Sequence, residues 1–327
     1  MKIILSRKGV DSANGGFPSP IFPDNTFVSI PIPDSCSQIA YKDITLRGLP
    51  GGKLVQCLSR NRVRAHDLVH LDPDLDPNTL SVRMPGWRPL FGQSHSAGAH
   101  LVRHQIGVGD LFLFFGWFRQ VEFIHGRWRY KPGAPHLHVI FGWLQVGAVL
   151  AVEPQTPSRL PWAAYHPHLA RNPRRKHNIL YVSASELEIE GIALGLPGAG
   201  LFPKFDRRLC LTAPGRLRSI WRLPSWFYPA PGRRPLSFHE NLRRWTNRCD
   251  HVLLRSVSRG QEFILHCEDY PEAKRWLGEI FTLARSSHSD NERAIQIHPA
   301  EPVTQDGSAT TPLRTWAADR GKVSCAR

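Results

Sequence analysis

The tripeptide Phe-Gly-Trp occurs twice, each time inside an apolar run. The first run spans Gly109 to Arg119 and the second His136 to Gly147. Both have strand length, are rich in aromatic and branched residues, and are bounded by Gly or Pro, which reads as two β-strands. A glycine within a strand marks a bulge or a place where something approaches the backbone closely. Here each such glycine has an aromatic on either side. The pair therefore marks either the tightest part of a β core or the wall of a pocket for a flat ligand.

The surrounding chain is long enough for a substantial core, with 327 residues, 41% hydrophobic and 10% aromatic. Its formal net charge is +15, and arginine outweighs lysine. Arginine forms forked phosphate contacts and stacks on bases, so a polyanion is the expected partner, nucleic acid ahead of membrane. Six scattered cysteines include no Cys-x-x-Cys pair, which argues against a zinc ribbon. The apolar part of Met1 to Lys8 is too short for a signal peptide, and no run has the roughly 18 apolar residues needed to cross a bilayer. A soluble, cytoplasmic protein with reduced thiols is expected.

Lys2 to Ser6 reads as a first strand. The Gly-, Pro- and Asp-rich stretch from Gly9 to Pro33 carries turn signals, including Pro23 to Thr26 ahead of a short strand at Phe27 to Ile32. Gly92 to Gln105 fits a short helix. Residues 153–178, with His166 and His168, read as a long ordered loop. Asn178 to Val182, Arg208 to Leu211 and Gln261 to His266 read as strands. Asp269-Tyr270-Pro271-Glu272 is a capping signal for a helix whose apolar face holds Ala273, Trp276, Leu277, Ile280 and Phe281. The expectation is an α+β fold, β-rich with a mixed or antiparallel sheet and few helices. One domain would cover 1–284, followed by a disordered polar tail, 285–327.

Several residues could carry chemistry. Lys8 and Asp11 follow the first strand, where a loop on a rigid scaffold could activate a nucleophile or hold a phosphate. The alternative is a turn in which Asp11 caps glycine-rich backbone. His70, Asp72 and Asp74 would share one side of an extended segment and could bind a divalent ion, with His136 or His138 as a distant second histidine. Dioxygenases of that pattern carry an arginine beyond the second histidine, and none lies between Val139 and Gln155. An Asx-type turn is therefore preferred at Asp72, and no metal is expected. Gln93 joins Lys8, Asp11, His70, Asp72 and Asp74 as a candidate catalytic group. Trp117 and Trp143, with Arg119, Gln120, His136, His138 and Gln145 at their edges, would suit a flipped base. Arg127, Arg129, Arg174, Arg175 and Lys176 are candidates for phosphate contacts.

Long strings also carry a resemblance. They include Lys2 to Ser12, Gly15 to Ile21, Ser29 to Asp34, His70 to Leu75, Gly86 to Gln93, Gly109 to Gln120 and His136 to Gly147. Trp221 to Phe227 and Arg259 to Phe263 continue the pattern. Over roughly 1–284 the chain resembles the nucleotide modification associated domain 3 family, found beside DNA base-modification genes. The resemblance implies a protein that binds a modified or modifiable nucleotide in such a system. It would act as an enzyme, as a non-catalytic reader, or as a structural partner of the modifying enzymes. DNA or a nucleotide and those other enzymes are the implied partners, and no particular cofactor is implied. Gly109 to Gly147 also resembles part of a PUA-like barrel. An enzyme needs Lys8, Asp11, His70, Asp72 and Gln93 in one pocket, whereas a reader needs only the tryptophan wall.

Overall fold

The two Phe-Gly-Trp runs are the long central strands of a nine-stranded sheet in the computed structural model, which describes residues 1–170 and 175–297, with side chains through Arg285. The sheet strands are β1 (Lys2–Arg7), β2 (Ser19–Ile21), β3 (Leu90–Gln93), β4 (Leu111–Ile124), β5 (Arg127–Tyr130), β6 (Leu137–Ala151), β7 (Ile179–Ser183), β8 (Ala199–Leu201) and β9 (Glu262–His266). The main order is β9-β1-β4-β6-β7-β3, with β2 and β5 joined to β4 and β8 to β6. Most pairs are antiparallel, but β1 and β2 both run parallel to β4. Residues 1–288 form one compact unit.

Both glycines are required by close approach. Gly116 lies in the gap on β4 between its pairing with β1, ending at Phe115, and with β2, starting at Phe118. The Lys8 backbone crosses there, and a Cβ on Gly116 would stand 2.8 Å from the Lys8 carbonyl oxygen. Gly142 sits at a register shift in β6, where a Cβ would stand 2.8 Å from the carbonyl oxygen of Gly200 in β8. One run thus holds a bulge and the other a crossing.

The two tryptophans part company at this level. His138 pairs with Trp117, and Leu113 pairs with Trp143, so the tryptophans share a face of the sheet but stand four residues apart along β4. At about 3.3 Å per residue that is roughly 13 Å, too far to sandwich one base. Trp143 is fully in the core: its ring packs on Phe202 and Phe281, and its indole N–H donates to the Pro197 carbonyl at 3.0 Å. Trp117 remains partly exposed.

Around the sheet lie few helices: α1 (Gly51–Ser59), α2 (His95–Arg103), the short α3 (Thr156–Arg159) and α4 (Pro167–Ala170), and α5 (Ala273–Ile297). The apolar face read for α5 is buried, with Trp276, Leu277, Ile280 and Phe281 in the core. Its start differs from the capping reading. Asp269 ends a 3-10 turn and binds Arg234 instead, and helix begins at Ala273. The helix continues to Ile297, past the expected start of the tail, and the rest of that expectation, 298–327, lies outside the described residues. Arg207–Leu209 is a 3-10 turn rather than a strand, because Asp206 caps it through the Arg208 amide. Phe27 to Ile32 forms only isolated pairing, and the strand there is Ile32–Pro33, paired with Val69–His70. The Gly109 to Gly147 region is a hairpin-linked part of the open sheet, and no closed barrel forms among the described residues. No described helix is long and apolar enough to cross a membrane.

Candidate functional site

The pairing of Ile32 with His70 brings Asp34 beside the His70 ring, and the chain then turns so that Asp72 points into the protein. Backbone hydrogen bonds in both directions between Asp74 and Leu90 fix this segment against β3. Asp72 is held by the sheet rather than by its own turn: its Oδ1 accepts the Gly92 amide at 2.8 Å. The segment between α3 and β7, which includes α4, supplies the rest. Tyr165 donates its hydroxyl to Asp74, whose carboxylate also takes a forked pair from Arg83 at 2.6 and 2.7 Å. With Tyr165 anchored, His166 and His168 follow directly and reach Asp72.

Three imidazoles surround the Asp72 carboxylate. His166 Nε2 lies 3.2 Å from Oδ1, and the Nε2 atoms of His168 and His70 lie 3.7 and 3.8 Å from Oδ2. Donor atoms of His70, Asp72 and His168 all fall within 4.8 Å of one another. The far nitrogens show which rings can ligate. His70 Nδ1 meets Asp34 Oδ2 at 2.8 Å, and His168 Nδ1 meets Asn178 Oδ1 at 2.7 Å. A neighbouring oxygen fixes the proton on Nδ1, so both Nε2 lone pairs face Asp72. His166 has the opposite arrangement. Its Nδ1 accepts the His168 amide at 3.4 Å, which places the proton on Nε2, close to Asp72 Oδ1 but without a hydrogen-bond partner. Two imidazole lone pairs and one carboxylate oxygen are thus aimed at one point, with the Gly92 amide holding the carboxylate and His166 packed beside it.

The charge state suits ligation. Burial alone would push the Asp72 carboxyl up, but the three surrounding histidines outweigh it, and it titrates below the usual carboxylate range. Burial holds His168 neutral, pushed down to about 3 despite Asp72. Access is from one side: the His70 side chain is 16% exposed, whereas His166, His168 and Asp72 are 0–4% exposed. A cavity of about 50 Å³ borders Asp72 between Gly9, Ser29, Arg47 and Asp76, room for water but not for a base.

The remaining residues singled out in the sequence fall elsewhere. Asp74 is bonded to Arg83 and Tyr165. Lys8 bonds Glu262 at 2.9 Å, and Gln93 donates to the same oxygen at 2.7 Å, a buried network separate from Asp72. Asp11 takes the turn role, its Oδ1 accepting the amides of Ala13 and Asn14. Arg119 staples the hairpin through the carbonyls of Lys131 and Ala134, and Gln120 contributes backbone pairing to β2. Gln145 is buried and clamps the backbone of Glu188. His136 is exposed and accepts the Trp117 indole N–H at 2.9 Å. Arg127 and Arg129 lie exposed on β5, the latter paired with Glu122. Arg175 and Lys176 precede β7, and Arg174 lies outside the described residues. Lys8, Asp11, Trp117 and His138 do share one cavity of about 390 Å³, which Trp143 does not line.

Sequence reasoning missed His168. It sought the second histidine at His136 or His138, whereas the site draws it from α4. The available signal was a second alternate pair, His166-x-His168, matching His70-x-Asp72.

A family model described as nucleotide modification associated domain 3 matches residues 2–266. No curated protein and no solved structure matches the chain.

Proposed function

The chain belongs to the nucleotide modification associated domain 3 family, and from that premise we propose that it is a metal-dependent enzyme of a nucleotide modification system. The observation that carries this reading is the convergence of His70 Nε2, His168 Nε2 and an Asp72 oxygen, with each histidine's other nitrogen held by an oxygen. Two imidazoles and one carboxylate suit a divalent transition ion and leave coordination positions open. Such an ion supplies Lewis-acid polarisation and lowers the pKa of bound water. The chain's own residues provide the rest. Asp34 and Asn178 orient the two rings, the Gly92 amide orients the carboxylate, and the open edge at His70 is where a substrate would enter.

The test uses the full chain, loaded in turn with Fe²⁺, Mn²⁺ and Zn²⁺, and mixed with DNA or nucleotides from cells that carry and cells that lack the gene. Mass spectrometry of the nucleosides is expected to show a mass change that requires the ion and is lost with chelator. A second reading, an ion that only ties the Asp72 segment to the His168 loop, is favoured by the burial of His166 and His168. It predicts that chelation lowers the melting temperature and that no metal-loaded form alters any nucleoside.

Gly92 offers a local check. A Cβ there would overlap the His168 ring. Gly92→Ala is expected to displace His168, weaken binding of the ion and cost ~1–3 kcal/mol of stability, the usual range for overpacking. Unchanged metal affinity in a folded Gly92→Ala protein would count against His168 as a ligand.

A further inference from the structure

We propose that the cavity at the carboxyl end of β1 is a binding subsite for the phosphate group of a nucleotide or nucleic acid. This inference goes beyond the metal-dependent reading and rests on different residues. The cavity has a volume of about 390 Å³, within the usual range of small-ligand sites. It lies where β1 leaves β4 and β2 takes up pairing further along the same strand.

The charges of its lining are unbalanced. Arg7 is half-buried and donates to the carbonyls of Val257 and Ser258 at 2.9 Å, while its Nε is buried without a partner. Arg218 donates to Ser12 Oγ at 2.6 Å and lies 4.1 Å over the Trp117 ring. Neither guanidinium forms an ion pair with a carboxylate among the described residues, whereas Lys8 on the same wall is neutralised by Glu262. Asp11 is the one acid of the lining among the described residues; it lies near enough to act on both guanidiniums and offsets one of their two charges, while its Oδ1 serves the backbone of Ala13 and Asn14. The lining therefore carries a net positive charge that an entering anion would offset.

Neutral donors complete the subsite. Ser256 lines the cavity, and its Oγ is buried with no partner. His138 Nδ1 accepts the Trp221 indole N–H at 3.0 Å, which places the ring proton on Nε2. Burial pushes this histidine down to about 3, so it offers a neutral N–H and no second positive charge. Two arginines, a hydroxyl and an imidazole N–H match the several acceptor oxygens of a phosphate. The Trp117 wall bounds the space beside them.

Calorimetric titration of the full chain with inorganic phosphate, with the four deoxynucleoside 5′-monophosphates and with a short single-stranded oligonucleotide tests the proposal. Binding that weakens as NaCl rises is expected, together with a ~10–100-fold loss in Arg218→Ala, the scale of one or two charge-assisted hydrogen bonds. Arg218 is used because it leaves the Arg7 backbone contacts intact, and Arg218→Lys is expected to recover part of the affinity. Tighter binding of the mononucleotides than of the oligonucleotide identifies a free nucleotide as the source of the phosphate, and the reverse identifies a DNA backbone. The proposal is overturned if the wild-type chain binds none of these at millimolar concentration, or if folded Arg218→Ala binds them as wild type does. Metal affinity, measured in parallel, is expected to be unchanged in Arg218→Ala, which separates failure here from failure of the metal centre.

Discussion

Asp72→Asn is expected to remove stoichiometric binding of a divalent transition ion while leaving the chain folded. Asparagine keeps the shape of the side chain and retains an oxygen for the Gly92 amide, so the bond that fixes the segment to β3 survives. What it loses is the anionic oxygen facing His70 and His168. Loss of that ligand is expected to exceed the ~10–100-fold effect typical of groups that merely orient ligands. Asp34→Asn and Asn178→Ala remove such orienting groups from His70 and His168, and each is expected to fall within that smaller range. His166→Gln, which replaces a neighbour that makes no hydrogen bond to Asp72, is expected to be the mildest. Metal content by elemental analysis and affinity by competition with a chromophoric chelator give the ranking. Full metal loading of Asp72→Asn at wild-type affinity would eliminate the centre, and with it the proposed enzymatic role.

The ranking also bears on what was legible in the sequence. His70 and Asp72 are visible as a pair because two residues in an extended segment share a side. Their partner shows only as the alternate pair His166-x-His168, and nothing local brings it to Asp72, because the position of α4, which carries His168, is set by long-range contacts. Tyr165 must first find Asp74 and Arg83, and Asn178 must hold the His168 ring. The same contrast runs through the fold. β1, β4, β6, β9 and the apolar face of α5 follow from local pattern, since each is long or strongly periodic. α1 does not: it opens with Gly51-Gly52 and has no side-chain N-cap. Both glycines are chosen for contact, Gly51 lying against Ile44 and Tyr41 and Gly52 against Ala65, so tertiary packing overrides a poor helical propensity. The short strand expected at Phe27 to Ile32 fails for a related reason. Its residues are largely buried, but its neighbours offer single bridges rather than a ladder.

The doubled Phe-Gly-Trp provides the second large effect, because its two tryptophans are expected to behave oppositely. Trp143→Ala is expected to cost ~3–5 kcal/mol, the range for removing a large aromatic from a core. Its ring fills the space between Phe202 and Phe281, and its N–H satisfies the Pro197 carbonyl. The space is tailored to indole: a Cβ on Gly200 would come 2.7 Å from the Trp143 ring, so β8 passes where only glycine permits it. Removing the ring therefore leaves a void beneath a strand that cannot move inward without breaking its pairing with β6. Trp117→Ala meets a different environment. Its ring is partly exposed, covered on one side by Arg218 and bonded at its edge to the exposed His136. Its stability cost is expected to be ~1 kcal/mol or less, the scale of an exposed cation–π contact and one hydrogen bond. Chemical denaturation of the two single variants measures both. Equal losses would mean that Trp117 is as much a part of the core as Trp143, and the cavity beside it would then have no aromatic wall to offer a ligand.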